Sequence, residues 1–176
     1  MRPPTEPLRF RAPSPPDEVF VATLARASFS AWSRDPARNV ARMLRSSSAA
    51  GEIASLGGER VGFYVLDVNR LSKPYGPFES PAIAHLDAIA VASSFSRRGI
   101  GRALLRRAEQ VARERGAVVM TLMTAVGNAR ARRMFQRFGF MPVLKIEGAY
   151  ESGEAGIQMF KLVAGFESYD RPPTMH

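Results

Sequence analysis

The chain has 176 residues, 45% of them hydrophobic, and a formal net charge of +9, enough for one domain with a sizeable core. It contains no cysteine, which excludes disulfides, thiolate metal sites and a cysteine nucleophile. The sequence holds no apolar run of about 18 residues to span a membrane, and its proline-rich start, Met1-Arg2-Pro3-Pro4, lacks a signal peptide's apolar stretch, so a cytoplasmic protein is expected.

Residues 1–7 read as a disordered N-terminus, and Leu8 to Arg11 alternates as a first strand does. After Pro15-Pro16-Asp17, the apolar positions Phe20, Val21, Leu24, Ala27 and Phe29 recur at helical spacing. Asp35-Pro36 opens a second helix through Val40, Met43 and Leu44, with Trp32 between the two. Glu52 to Leu56 and Val61 to Val68 read as strands around the hairpin signal Gly57-Gly58-Glu59-Arg60. The loop 69–81 then carries Tyr75 and Phe78, and loops of that length are uncommon in compact domains unless they are functional lids or flexible.

Ala82 to Val91 has enough alanine for a helix, but its alternation favours a strand with Ile83, His85, Asp87, Ile89 and Val91 on one face and Leu86 on the other. The next helix aligns Ile100, Leu104, Ala108 and Val111 and stops at Arg115-Gly116. Ala117 to Thr124 is a strand. Asn128 suits the N-cap of a helix bearing Ala131, Met134, Phe135 and Phe138, with Gly139 as its stop. Met141 to Glu147 and Gly156 to Val163 form a last pair of strands, and 165–176 reads as a tail. The expected fold is one α/β domain over 8–164, a mixed and mostly antiparallel sheet with one parallel step, flanked by helices.

Between the strand ending at Val91 and the helix lies Ser96-Arg97-Arg98-Gly99-Ile100-Gly101-Arg102. Unpaired amides of a helix's first turn point the same way, and glycines let a phosphate reach them, although Gly-x-Gly also serves as a plain tight turn. No Gly-Lys-Ser/Thr follows as a P-loop needs, and Leu104 occupies a dinucleotide fingerprint's third glycine position. Charge supports the anion reading. Residues 97–137 hold 11 arginines against Glu109 and Glu114 and so carry the chain's whole net charge, which would attract a polyanion. Arg102, Arg106 and Arg113 would also suit a solvated helix face.

This turn, with Asn128, Ala131, Phe135, Gly139 and Phe140 following in order, resembles the GNAT superfamily of acyl-CoA N-acyltransferases over roughly Ala82 to Val163. The resemblance implies that Ser96, Arg97, Arg98, Gly99, Ile100, Gly101 and Arg102 bind the pyrophosphate of acetyl-CoA. It further implies that Ile89, Ala90, Val91, Asn128 and Phe135 flank the pantetheine arm, and that Phe29 and Trp32 border an acceptor pocket. Ser96 departs from the Arg or Gln usual at its position. No metal is expected.

Transfer from a thioester to an amine needs both substrates held together, a proton taken from the ammonium and a proton given to the thiolate. Histidine is the side chain suited to proton transfer near neutral pH, which singles out His85, and Asp87 shares its strand face. Ala84 to Val91 with Ser94-Phe95 is similar to the arylalkylamine N-acetyltransferases, where His85 matches the first of two relaying histidines and Asp87 replaces the second. The tyrosine acid of that branch corresponds to Phe135, which cannot donate a proton. The N-terminal acetyltransferases of ribosomal proteins would place a glutamate at Met123. The expected reaction is acetyl or short-acyl transfer from acetyl-CoA to a primary amine, a small molecule first and a protein N-terminus second. A non-catalytic acyl-CoA-binding domain is a third reading. No membrane or nucleic-acid partner is expected, and a homodimer stays open.

Overall fold

A computed structural model describes residues 7–74 and 79–164. The loop aromatics Tyr75 and Phe78, the expected disordered start up to residue 6 and the expected tail from 165 lie outside the described residues. Among the described residues four α-helices cover a seven-stranded sheet ordered β1-β2-β3-β4-β5-β7-β6. The elements are β1 (Arg9–Arg11), α1 (Glu18–Phe29), α2 (Pro36–Leu44), β2 (Ala49–Leu56), β3 (Glu59–Arg70), β4 (Ala82–Val91), α3 (Ile100–Glu114), β5 (Ala117–Ala125), α4 (Ala129–Arg137), β6 (Met141–Ile146) and β7 (Gly156–Leu162). No helix among the described residues is long and apolar enough to cross a membrane.

Local chemistry sets the ends. Asp35 caps α2 by accepting from the Arg38 amide, and Asn128 caps α4 by accepting from the Ala131 amide at 3.2 Å. Gly57 and Gly58 both take positive φ, 60° and 82°, the geometry that joins β2 to β3 through two residues. The helices divide between the faces. Val21, Leu24, Ala25 and Val40 of α1 and α2 pack on Ile53, Phe63 and Val65, while Leu104, Leu105 and Ala108 of α3 pack on Tyr64, Leu86 and Met120. Charged ties lock α3 in place: Arg107 grips Glu52 with two hydrogen bonds of 2.7 and 2.8 Å, and Lys161 of β7 reaches the buried Glu109.

The parallel step is short. β4 pairs with β5 only from Ala82 opposite Ala117 to Leu86 opposite Leu122, after which β4 follows β3 and β5 follows β7. The two strands therefore part, leaving a wedge in the sheet. β4 also carries one extra residue, because Leu66 faces Leu86 and Val65 faces Ala88 with Asp87 skipped. This bulge corrects the expectation that Ile83, His85, Asp87, Ile89 and Val91 share a face. Leu86 before it and Ile89 and Val91 after it pack with the α3 cluster, whereas Ala88 and Ala90 pack with the α1 and α2 cluster.

Candidate functional site

On the α3 side of the wedge lies a groove of about 840 Å³. Arg97 and Gly99 both have positive φ, 63° and 80°, which bends the chain sharply into α3. The first amide with an intrahelical partner is that of Ala103, bonded to Gly99, so the amides of Ile100, Gly101 and Arg102 come before the helical ladder begins. A Cβ at Gly101 would stand 3.1 Å from Met134 Sδ, so the missing side chain keeps the helix start open. Ile89, Ala90, Val91, Ser96, Arg97, Gly99, Ile100, Gly101, Arg102 and Asn128 all line this groove. Two expected residues do not. Arg98 lies over the Phe95 ring at 5.1 Å, and Phe135 is buried edge-on to Phe140, lining the neighbouring cavity instead.

That cavity, about 330 Å³, has α1 and α2 on one side and the β6–β7 loop on the other. Phe29 and Trp32 line it, as does Asp87, which the bulge leaves at the mouth of the wedge. Burial is the main force that pushes the Asp87 carboxyl above its ordinary range; His85 opposes the rise and Asp67 adds to it. His85 stands behind, outside the cavity lining, with Nε2 at 3.9 Å from the Asp87 carboxylate and Nδ1 at 2.8 Å from the Thr121 hydroxyl. Met123 and Thr124 complete the β5 side of the wall.

Sequence reasoning missed the roof. Trp32 Nε1 donates to Glu154 at 2.7 Å, and the same carboxylate accepts from the Gly127 amide beside Asn128. Glu151 accepts from the Arg34 amide at 2.6 Å. Two loops more than a hundred residues apart are thus clasped over the cavity by side-chain carboxylates. Tyr150 lines the cavity beneath, its hydroxyl pushed up to about 12, first by burial and then by Glu154. Two acids in a short glycine-bounded loop were the available signal, but nothing local pairs them with Trp32.

A model of the acetyltransferase (GNAT) family matches residues 18–140. An uncharacterised N-acetyltransferase of Methanocaldococcus jannaschii is 33% identical over 88 residues, which is 50% of this chain and 37% of that protein. The chain therefore spans well under half of that relative. Among solved structures, Arabidopsis thaliana NAA60 in complex with acetyl-CoA superposes with a TM-score of 0.76 at 15% identity, over 90% of this chain and 100% of that one. The ribosomal-protein-S18-alanine N-acetyltransferase of Escherichia coli gives 0.71 at 18% identity, over 96% and 99%. At these identities the likeness is one of fold. The family match runs from α1 to the glycine stop of α4 and so takes in both sides of the wedge: the chain belongs to the GNAT family of acetyltransferases.

Proposed function

We propose that the chain transfers an acetyl group from acetyl-CoA to the primary amine of a small molecule, by direct attack in a ternary complex. One observation carries this. The basic groove and the acid-bearing cavity meet where β4 and β5 part, sharing Phe29, Trp32, Ile89, Asn128, Ala131 and Met134. Two sites that meet at one point hold donor and acceptor together, which is most of what transfer from an activated thioester requires. The groove suits CoA: unpaired amides begin α3, Gly101 leaves them accessible, and Arg97, Arg102, Arg130, Arg133 and Arg137 surround them with charge for phosphates.

The amine arrives as an ammonium and must lose a proton before its lone pair can attack. Asp87 takes it, its raised carboxyl making it a stronger base than a solvated aspartate. His85, part-exposed behind Asp87, passes the proton toward solvent. Nitrogen then bonds to the thioester carbonyl carbon, the C–S bond breaks, and the thiolate takes a proton from water. The nitrogen sheds its remaining extra proton, leaving an amide, a thiol and one proton released. Met123 and Phe135 lie in the same wall without a transferable proton and take no part in the proton steps; Asp87 and His85 of β4 serve the deprotonation of the ammonium.

Thiol release over a panel of amines tests the reading. Asp87→Asn should lower the rate at neutral pH by on the order of 10²-fold, with less loss at high pH where free amine is abundant. His85→Gln should lose less, and neither should change CoA affinity. CoA binding without turnover of any amine would leave only an acyl-CoA-binding domain, and coincident pH profiles for wild type and Asp87→Asn would remove Asp87 from the chemistry.

A further inference from the structure

The two sites differ in the sign of their charge. Among the described residues lining the cavity the only charged side chains are Asp87 and Glu151, whereas those lining the groove include five arginines and no acid. The two carboxylates are not equivalent. Glu151 already accepts from the Arg34 amide and from the Ser33 hydroxyl, so its charge holds the roof. No hydrogen-bond donor among the described residues reaches Asp87, and His85 stands 3.9 Å away. A half-buried carboxylate in this position has lost hydration without gaining a hydrogen bond from the described residues. Asp67, opposite His85 on β3, adds negative charge nearby. Phe29, Trp32, Val40, Met43 and Tyr150 make much of the remaining wall apolar or aromatic, and aromatic faces also attract cations.

Resting on the acetyl-transfer reading, we propose that the acceptor is a monocation with an apolar body: a primary ammonium paired with Asp87, an aromatic or aliphatic group against the cavity wall, and no anionic group. Among the described lining residues an acceptor carboxylate would meet two acids and no cation, so free amino acids are rejected while their carboxamides are admitted. A free amine and a peptide N-terminus present the same ammonium. A cavity of about 330 Å³ lies at the small end of ligand sites and favours the free amine.

The test compares 2-phenylethylamine, phenylalaninamide, phenylalanine and a peptide beginning with phenylalanine. Thiol release reads turnover, and quenching of Trp32, the chain's single tryptophan, reads binding in the presence of CoA. The amine and the amide should exceed phenylalanine by at least about tenfold in kcat/KM and in affinity, since like charges brought together repel. Met123→Lys, which adds a cation to a part-exposed position of the wall, should shrink that ratio. Equal handling of phenylalanine and its amide overturns the charge rule while acetyl transfer stands. Discrimination in binding with no thiol release supports the rule and sinks the transfer reading instead. A peptide that outruns the amide overturns the assignment to a free amine.

Discussion

Asp87 owes its setting to one inserted residue. The bulge turns Ile89 and Val91 to the α3 face and leaves the carboxylate half-buried, with no hydrogen-bond donor among the described residues to offset the burial. Its acid is raised in the folded state, so its ionised form opposes folding. The stability this group contributes is present below the ordinary aspartate range, near 3.9, and is lost as pH rises through the raised folded value. Asp87→Asn should therefore raise Tm at neutral pH, and that advantage should fade as the pH drops through the aspartate range. Melting curves from pH 3 to pH 8 would show it, and a variant less stable than wild type across that range would contradict it. Both His85 and Asp87 were legible as residues, because a histidine and an acid two apart on a strand are a local pattern. That Asp87 faces the cavity while His85 stands behind it was not. Leu86-Asp87-Ala88 contains no glycine or proline to announce a bulge, so alternation alone assigned Ile89 and Val91 to the wrong face.

For elements, the start of α3 carries the most specific expectation. A glutamate at position 101 would press on Met134 and place an acid where the unpaired amides favour an anion. Gly101→Glu should abolish the rise in Tm that CoA gives wild type, about 2.7 kcal/mol of stabilisation when ligand stands at 100 times its Kd. Thermal shift with and without CoA checks this, and an unchanged response in a folded variant would remove the cradle assignment. Helix ends were readable from sequence because capping is local: Asp35-Pro36, Asn128, Gly116 and Gly139 each mark an observed boundary. β2 and β3 run past their expected limits, since strand length is decided by the partner: Ala49 pairs with Asp67, and Asn69 and Arg70 pair with Ile83 and Ala82. The clasp made by Glu151 and Glu154 is tertiary, and no pattern within residues 148–155 points to Trp32.

Across the whole molecule, charge was legible as a total and as a cluster, while its partition between groove and cavity depended on the fold. The wedge also has a mechanical meaning. The sheet consists of two leaves, β1 to β4 with α1 and α2, and β5 to β7, each built from antiparallel neighbours and bound along a spine of five facing residue pairs, with α3 packed across it. A spine that short leaves the far ends of β4 and β5 as the free margins of a partly open book, drawn together by side chains such as the Trp32–Glu154 clasp. Such margins breathe more readily than the bound edge, and a ligand that touches both acts as a clip. Hydrogen exchange should accordingly slow on CoA binding at residues 87–91 and 122–125, while the β2–β3 hairpin stays unchanged, and equal slowing everywhere would argue against two leaves. A ligand clipped between the two margins leaves as they part, so its dissociation rate would report on the five-pair spine that holds them together.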